Sequence, residues 1–118
     1  MTDQRHGEVE PVSSVLAALA DPTRRQLLDL LATQGEVTAT RLAQRLPVTR
    51  QAVVKHLAVL DAAGLVTGNR VGREVRYAVQ PAALNATARW MAKLAADWDR
   101  RLATIKRIAE TAEQVPRT

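Results

Sequence analysis

The chain of 118 residues carries a formal net charge of +5, has a pI near 10.7 and contains no cysteine. That length suits one domain whose core can lean on a partner subunit, and the missing thiols exclude disulfides, thiolate metal sites and cysteine nucleophiles together. The basic balance favours a polyanionic partner, while a polar N-terminus and the lack of any membrane-length apolar run point to the cytoplasm and to no membrane partner.

Residues 1–11 are polar and charged, end in Pro11, and are expected to form a mobile tail. From Val12 the pattern Val15, Leu16, Leu19 predicts a short helix that stops at Ala20-Asp21-Pro22. Asp21 and Pro22 then signal the next helix, Asp21 as N-cap and Pro22 at the first helical position, where its missing N–H is harmless. Leu27, Leu28, Leu30 and Leu31 make the apolar face of this helix and Gly35 ends it. Arg24 and Arg25 place cations in a first turn, against the helix dipole, so an anion is needed nearby: a DNA phosphate or an internal acid.

Glu36-Val37-Thr38 is long enough only for an edge strand, and Thr38 can cap a helix from about Ala39 to Leu46 with Leu42, Ala43 and Leu46 inward. Pro47-Val48 breaks it. Thr49 caps the next helix, which runs to about Ala63 and closes with Gly64. Val53, Leu57 and Leu60 share one stripe of that helix, whereas Arg50, Gln51, Val54 and Lys55 lie on the other side, with no acid before Asp61. Such a face suits the floor of a DNA groove, and two helices joined by a tight turn make a helix-turn-helix. Ala43 supplies the small residue where the two helices touch. Pro47 stands where many such motifs carry glycine; proline cannot adopt positive φ, so this turn must differ from the glycine version.

Leu65–Thr67 and Val75–Val79 have strand composition and flank the glycine-containing segment Asn69 to Glu74, which predicts a β-hairpin. Arg70 and Arg73 lie near its tip and Arg76 on the returning strand. A hairpin directly after such a helix is a wing, and a tip arginine suits the negative potential of a minor groove. Pro81 opens the last segment, residues 82–115, made of helix formers without internal Gly or Pro. In it Leu84, Ala88, Met91, Ala95, Trp98, Leu102, Ile105 and Ala109 recur at three- and four-residue spacings, and Trp90, Leu94 and Ile108 widen the stripe. This helix is longer than the domain's own core needs, so it is expected to pair with its symmetry mate or with the first helix of the partner. Asp97 and Arg101 are spaced as an i,i+4 ion pair on its wet flank. The fold class expected is mainly α with a small β-hairpin, a winged helix-turn-helix over residues 12–115.

Leu19-Ala20-Asp21-Pro22-Thr23-Arg24-Arg25, the run Lys55-His56-Leu57-Ala58-Val59-Leu60, the exit Ala63-Gly64-Leu65-Val66 and the Gly72-Arg73 turn resemble, in this order and spacing, the arsenic-repressor (ArsR) type of bacterial winged helix-turn-helix regulators. The resemblance spans roughly residues 12–110. It implies a homodimeric repressor that binds double-stranded DNA at a pseudo-palindromic operator and pairs through its outer helices, with Leu16, Leu84, Met91, Trp98, Leu102 and Ile105 as the dimerisation residues. Two recognition helices, residues 49–63, would then enter successive major grooves about one DNA turn apart, with the wing, residues 69–76, near the minor groove. The residues expected at DNA are Thr49, Arg50, Gln51, Val54, Lys55, His56, Arg24, Arg70, Arg73 and Arg76. Arg50 and Lys55 suit guanine edges or phosphates, Gln51 adenine and Val54 a thymine methyl; Thr49 and Arg24 suit phosphates, and His56 suits core packing or a phosphate.

Metal-sensing members resemble one another in a cysteine pair where this chain has Thr38 and Thr40, and others use Asp and His on the last helix, where this chain has Asp97 and Asp99 on different faces and no histidine. Soft and borderline metals want thiolate or imidazole; His6 lies in the expected tail and His56 in the recognition helix, so no metal or other cofactor is expected. The sequence has no Gly-rich phosphate loop and no nucleophile set beside a base, which argues against an enzyme. Two other readings stand beside the repressor: a winged-helix adaptor whose basic face meets an acidic protein, and a repressor released by a small organic inducer bound beside Trp90 and Trp98.

Overall fold

The computed structural model describes residues 4–114, with side chains from residue 11 onward. In chain order the elements are α1 (Gln4–Leu19), α2 (Pro22–Gln34), β1 (Val37–Thr38), α3 (Ala39–Ala43), α4 (Arg50–Ala62), β2 (Val66–Val71), β3 (Glu74–Val79) and α5 (Pro81–Gln114). Contacts divide the chain into two compact units that part between Thr87 and Ala88. Helix α1 reaches back to Gln4 instead of starting at Val12, so Pro11 lies inside it. One proline removes one backbone hydrogen bond, and the residues before it, apart from Gly7, are ordinary helix formers. The first three residues of the expected tail lie outside the described residues.

The core of the first unit is what the spacing of apolar residues predicts. Val15 and Ala18 come from α1, Leu27 and Leu31 from α2, Leu42 from α3 and Val53, Leu57 and Leu60 from α4, with Leu65 and Val66 closing it. The helix ends are set locally. The Asp21 carboxylate accepts from the Thr23 N–H at 2.7 Å and the Arg24 N–H at 3.3 Å, the Thr38 hydroxyl from the Arg41 N–H at 3.2 Å, and the Thr49 hydroxyl from the Ala52 N–H at 3.1 Å. After α4 the chain turns at Gly64, whose φ of +77° an L side chain rarely adopts, and the Leu65 N–H reaches the Leu60 carbonyl at 2.9 Å.

Helix α3 stops at Ala43 and not at Leu46. The Gln44 N–H is shared between the carbonyls of Arg41 and Leu42, which tightens the last turn, and Leu46 precedes Pro47, whose ring disfavours helical backbone in the residue before it. Among the described residues no non-glycine has positive φ, so residues 44–49 join α3 to α4 without a left-handed step.

The sheet is antiparallel in the order β1-β3-β2, with Val37 opposite Tyr77 and Thr38 opposite Arg76 on one side of β3. On the other side the ladder runs from Val66 opposite Val79 to Val71 opposite Glu74. The expected loop from Asn69 to Glu74 is therefore only the two-residue turn Gly72-Arg73, because Asn69 and Arg70 continue the ladder. Gly72 has a φ of +64° and Arg73 a negative one, the pattern of a type II′ turn, whose twist matches that of the strands.

Helix α5 has 34 residues, about 50 Å at 1.5 Å per residue. Its apolar residues from Leu84 to Ala109 alternate spacings of four and three, the 3.5-residue repeat of a left-handed coiled coil. The stripe is bare within this chain: Trp98 is 53% exposed, Leu102 57%, Ile105 61% and Ile108 64%. Asp97 pairs with Arg100, one residue short of the expected Arg101. The Arg101 guanidinium instead lies over the Trp98 ring, 5.7 Å from its centroid, a cation–π contact that the Asp97 spacing does not reveal. No helix among the described residues is long and apolar enough to cross a membrane.

Candidate nucleic-acid interface

Helix α4 separates its two faces as its periodicity requires. Val53, Leu57 and Leu60 are fully buried, and Arg50, Gln51, Val54 and Lys55 are exposed on the side away from the core. His56 sits between them, half-buried, with its Nδ1 3.4 Å from a terminal nitrogen of Arg24. It thus belongs to the support of the helix and not to the open face. Thr49 accepts the Ala52 N–H on its hydroxyl as the cap of α4, and it keeps the hydroxyl hydrogen to donate at the exposed start of the helix. Arg50 turns its Nε to the Thr40 hydroxyl at 3.0 Å. Thr40, Arg50, Val54, Arg73, Val75 and Tyr77 border an open cleft of about 520 Å³ between α4 and the hairpin.

In the wing, Arg73 stands at the tip and Arg70 on β2, both exposed. Arg76 is different. Its guanidinium lies 3.5 Å from the Glu74 carboxylate, so part of its charge is answered within the strand. Arg41 and Arg45, not among the residues singled out from the sequence, are also exposed, on α3 and just after it. Their signal was a spacing of four with no acid between them, on the helix that crosses the DNA backbone in a helix-turn-helix.

Arg24 takes the internal one of its two alternatives. Its Nε donates to the Ala18 carbonyl at 2.6 Å and a terminal nitrogen to the Ala17 carbonyl at 3.2 Å, while the other lies 3.7 Å from the Asp21 carboxylate. The cation that opposes the dipole of α2 thus completes the C-terminus of α1, and the side chain is only 17% exposed. Arg25 repeats the arrangement by donating to the Leu19 carbonyl.

Burial acts to raise the Asp21 pKa, but the backbone N–H groups of Thr23 and Arg24 and the charges of Arg24 and His56 outweigh it and hold the carboxyl below its ordinary 3.8. A lowered folded-state pKa contributes stability above the unfolded value, and that stability is lost as pH falls through the folded one. Asp21→Asn, which keeps a capping oxygen but no charge, is expected to lower the melting temperature at neutral pH and to narrow its gap from wild type below pH 3.8. Melting curves from about pH 2 upward check this; parallel curves at every pH would count against it.

A family model described as a helix-turn-helix domain matches residues 19–69. The transcriptional repressor SdpR of Bacillus subtilis (strain 168) is 31% identical over 80 residues, covering 68% of this chain and 88% of that protein. An ArsR-like transcriptional regulator from Rhodococcus sp. RHA1, of solved structure, is 50% identical at a TM-score of 0.79, covering 87% of this chain and 96% of that one. The chain belongs to the ArsR family. A second solved structure, the homodimeric winged helix-turn-helix DNA-binding domain of a protein from Mycobacterium bovis described as a possible ArsR-family transcriptional regulator, is 28% identical at a TM-score of 0.64, over 82% of this chain and 88% of that one. The winged helix-turn-helix expected from the order of motifs is the fold of this ArsR regulator, and its relatives are transcriptional regulators and repressors. In the ArsR frame α3 and α4 are the helix-turn-helix, and β2 and β3 are the wing. At the positions where the resemblance puts cysteines in metal sensors, the Thr38 hydroxyl caps α3 and the Thr40 hydroxyl accepts from Arg50.

Proposed function

We propose that this ArsR-family regulator is a cytoplasmic homodimeric repressor that lays α4 in the major groove of each operator half-site and its wing along the adjoining minor groove. The observation that carries the reading is the exposed row Arg50, Gln51, Val54 and Lys55 on a helix whose opposite face is locked into the core. Rigid support matters because a good bidentate base contact is worth about 1–3 kcal/mol only when its donors are held in place. Arg73 at the wing tip supplies the minor-groove cation, and Arg41 and Arg45 suit phosphates where α3 crosses the backbone. Arg24 drops out of the contact set, since its donors are engaged at the end of α1. The bare α5 stripe and the homodimeric Mycobacterium bovis relative support pairing through α5.

Gel-shift titration over an operator set mutated base by base tests the assignment. Gln51→Ala is expected to cost roughly 1–3 kcal/mol at a single base position and little elsewhere. Arg73→Ala should weaken binding evenly across sequences and reduce the salt dependence by about one phosphate equivalent. Equal losses on every sequence for Gln51→Ala would remove it from base reading.

A further inference from the structure

Arg50 opens the recognition helix, and on an exposed first turn a side chain of its length has many rotamers to choose from. Here one contact selects among them: the Arg50 Nε donates to the Thr40 Oγ1 at 3.0 Å, across from α4 to the first turn of α3. A guanidinium has five N–H donors in a fixed plane. With the Nε–H turned to Thr40, the edge that combines Nε with a terminal nitrogen is taken, and the end-on pair, one N–H from each terminal nitrogen, remains for bidentate use. Two parallel donors at that spacing match O6 and N7 of guanine. The threonine contributes a second group. A hydroxyl that accepts still has its own hydrogen to donate, and Thr40 is exposed beside the cleft that Arg50 and Arg73 border.

We propose that Thr40 is a positioning residue for sequence readout: it fixes Arg50 end-on toward a guanine, so that the first helix of the motif aims the first arginine of the second. The proposal rests on the reading of α4 as the base-reading helix. Preorganisation of this kind acts on discrimination more than on general affinity, because loosening the arginine leaves its charge near the phosphates but removes its preference for one acceptor pair. Thr40→Val keeps the shape and loses the acceptor; Thr40→Ser keeps the acceptor.

The test uses the full chain and a duplex recovered by the wild-type protein from random DNA. Binding is measured to that duplex, to versions in which each half-site guanine in turn is 7-deazaguanine, which lacks the N7 acceptor, and to an unrelated duplex. The wild-type protein is expected to be penalised by 7-deazaguanine at one guanine. Thr40→Val should lose about fivefold on the recovered duplex, the scale of one ordinary net hydrogen bond, and should lose that penalty while binding unrelated DNA like wild type. Thr40→Ser should restore both, and in an Arg50→Lys background Thr40→Val should have no effect on the guanine penalty. Retention of the wild-type penalty by Thr40→Val, or an equal loss on the recovered and the unrelated duplex, overturns the assignment. A wild-type protein that recovers no preferred duplex overturns the base-reading function itself, and the positioning role with it.

Discussion

Substitution of Leu102 and Ile105 together by lysine is expected to turn the protein into a monomer and to weaken binding to a two-half-site operator by about thirtyfold to several thousandfold. Both residues lie on the 3.5-residue stripe of α5, both are more than half exposed within the chain, and neither belongs to the core cluster of the first unit. In a seam between two copies, lysines at these positions would have to bury charge. Specific over nonspecific binding typically amounts to about 4–10 kcal/mol over a whole site, so loss of one of two equivalent halves removes a factor of this order. Analytical ultracentrifugation reads the association state and gel shifts on full and half operators read the binding. The expected signature is a collapse on the full site with the half-site affinity retained. A variant that remains dimeric with unchanged operator binding would assign the self-association to another surface.

The second large effect falls on stability. Leu57→Ala should destabilise the folded protein by about 2–5 kcal/mol, since Leu57 is fully buried at the middle of α4, in the core cluster to which α1, α2 and α3 also contribute, and its truncation leaves a cavity there. Against a total of about 5–15 kcal/mol for a domain, that loss lowers the melting temperature by on the order of 10 °C. Thermal melts compared at one protein concentration check it, because dimerisation makes melting concentration-dependent. Val54→Ala is the informative partner: on the exposed face of the same helix, its truncation should leave stability within about 0.5 kcal/mol and change only DNA binding. Equal destabilisation by the two variants would mean that the faces of α4 had been assigned the wrong way round.

What could be read from the sequence was what local chemistry decides. Asp21, Thr38 and Thr49 cap helices because a short oxygen-bearing side chain reaches the N–H groups two or three residues on, an effect that needs no knowledge of the rest of the chain. The stripe of α4 and the stripe of α5 follow from periodicity in the same way. Features that depend on competition between neighbours were misplaced. Helix α3 loses its last turn to the residue-before-proline effect at Leu46, and the hairpin loop shrinks because cross-strand pairing carries Asn69 and Arg70 further than their strand propensity suggests. The destination of Arg24 was legible only as a choice between two anions. Its main acceptors turned out to be carbonyls at the end of a helix that precedes it by several residues, which no local rule singles out. Likewise, the Thr40–Arg50 bond joins positions ten residues apart that meet only once the helix-turn-helix is formed.

The Arg24 junction bears on how the molecule opens. One guanidinium holds the final carbonyls of α1, the capping acid of α2 and the side of α4 through His56. Unfolding that frees α4 breaks the Arg24–His56 contact and so loosens the anchor at the end of α1 and the start of α2. The backbone amides of these three helices are therefore expected to exchange as one cooperative unit, with α4 sharing the protection of the core, and hydrogen-exchange rates along α1, α2 and α4 check this.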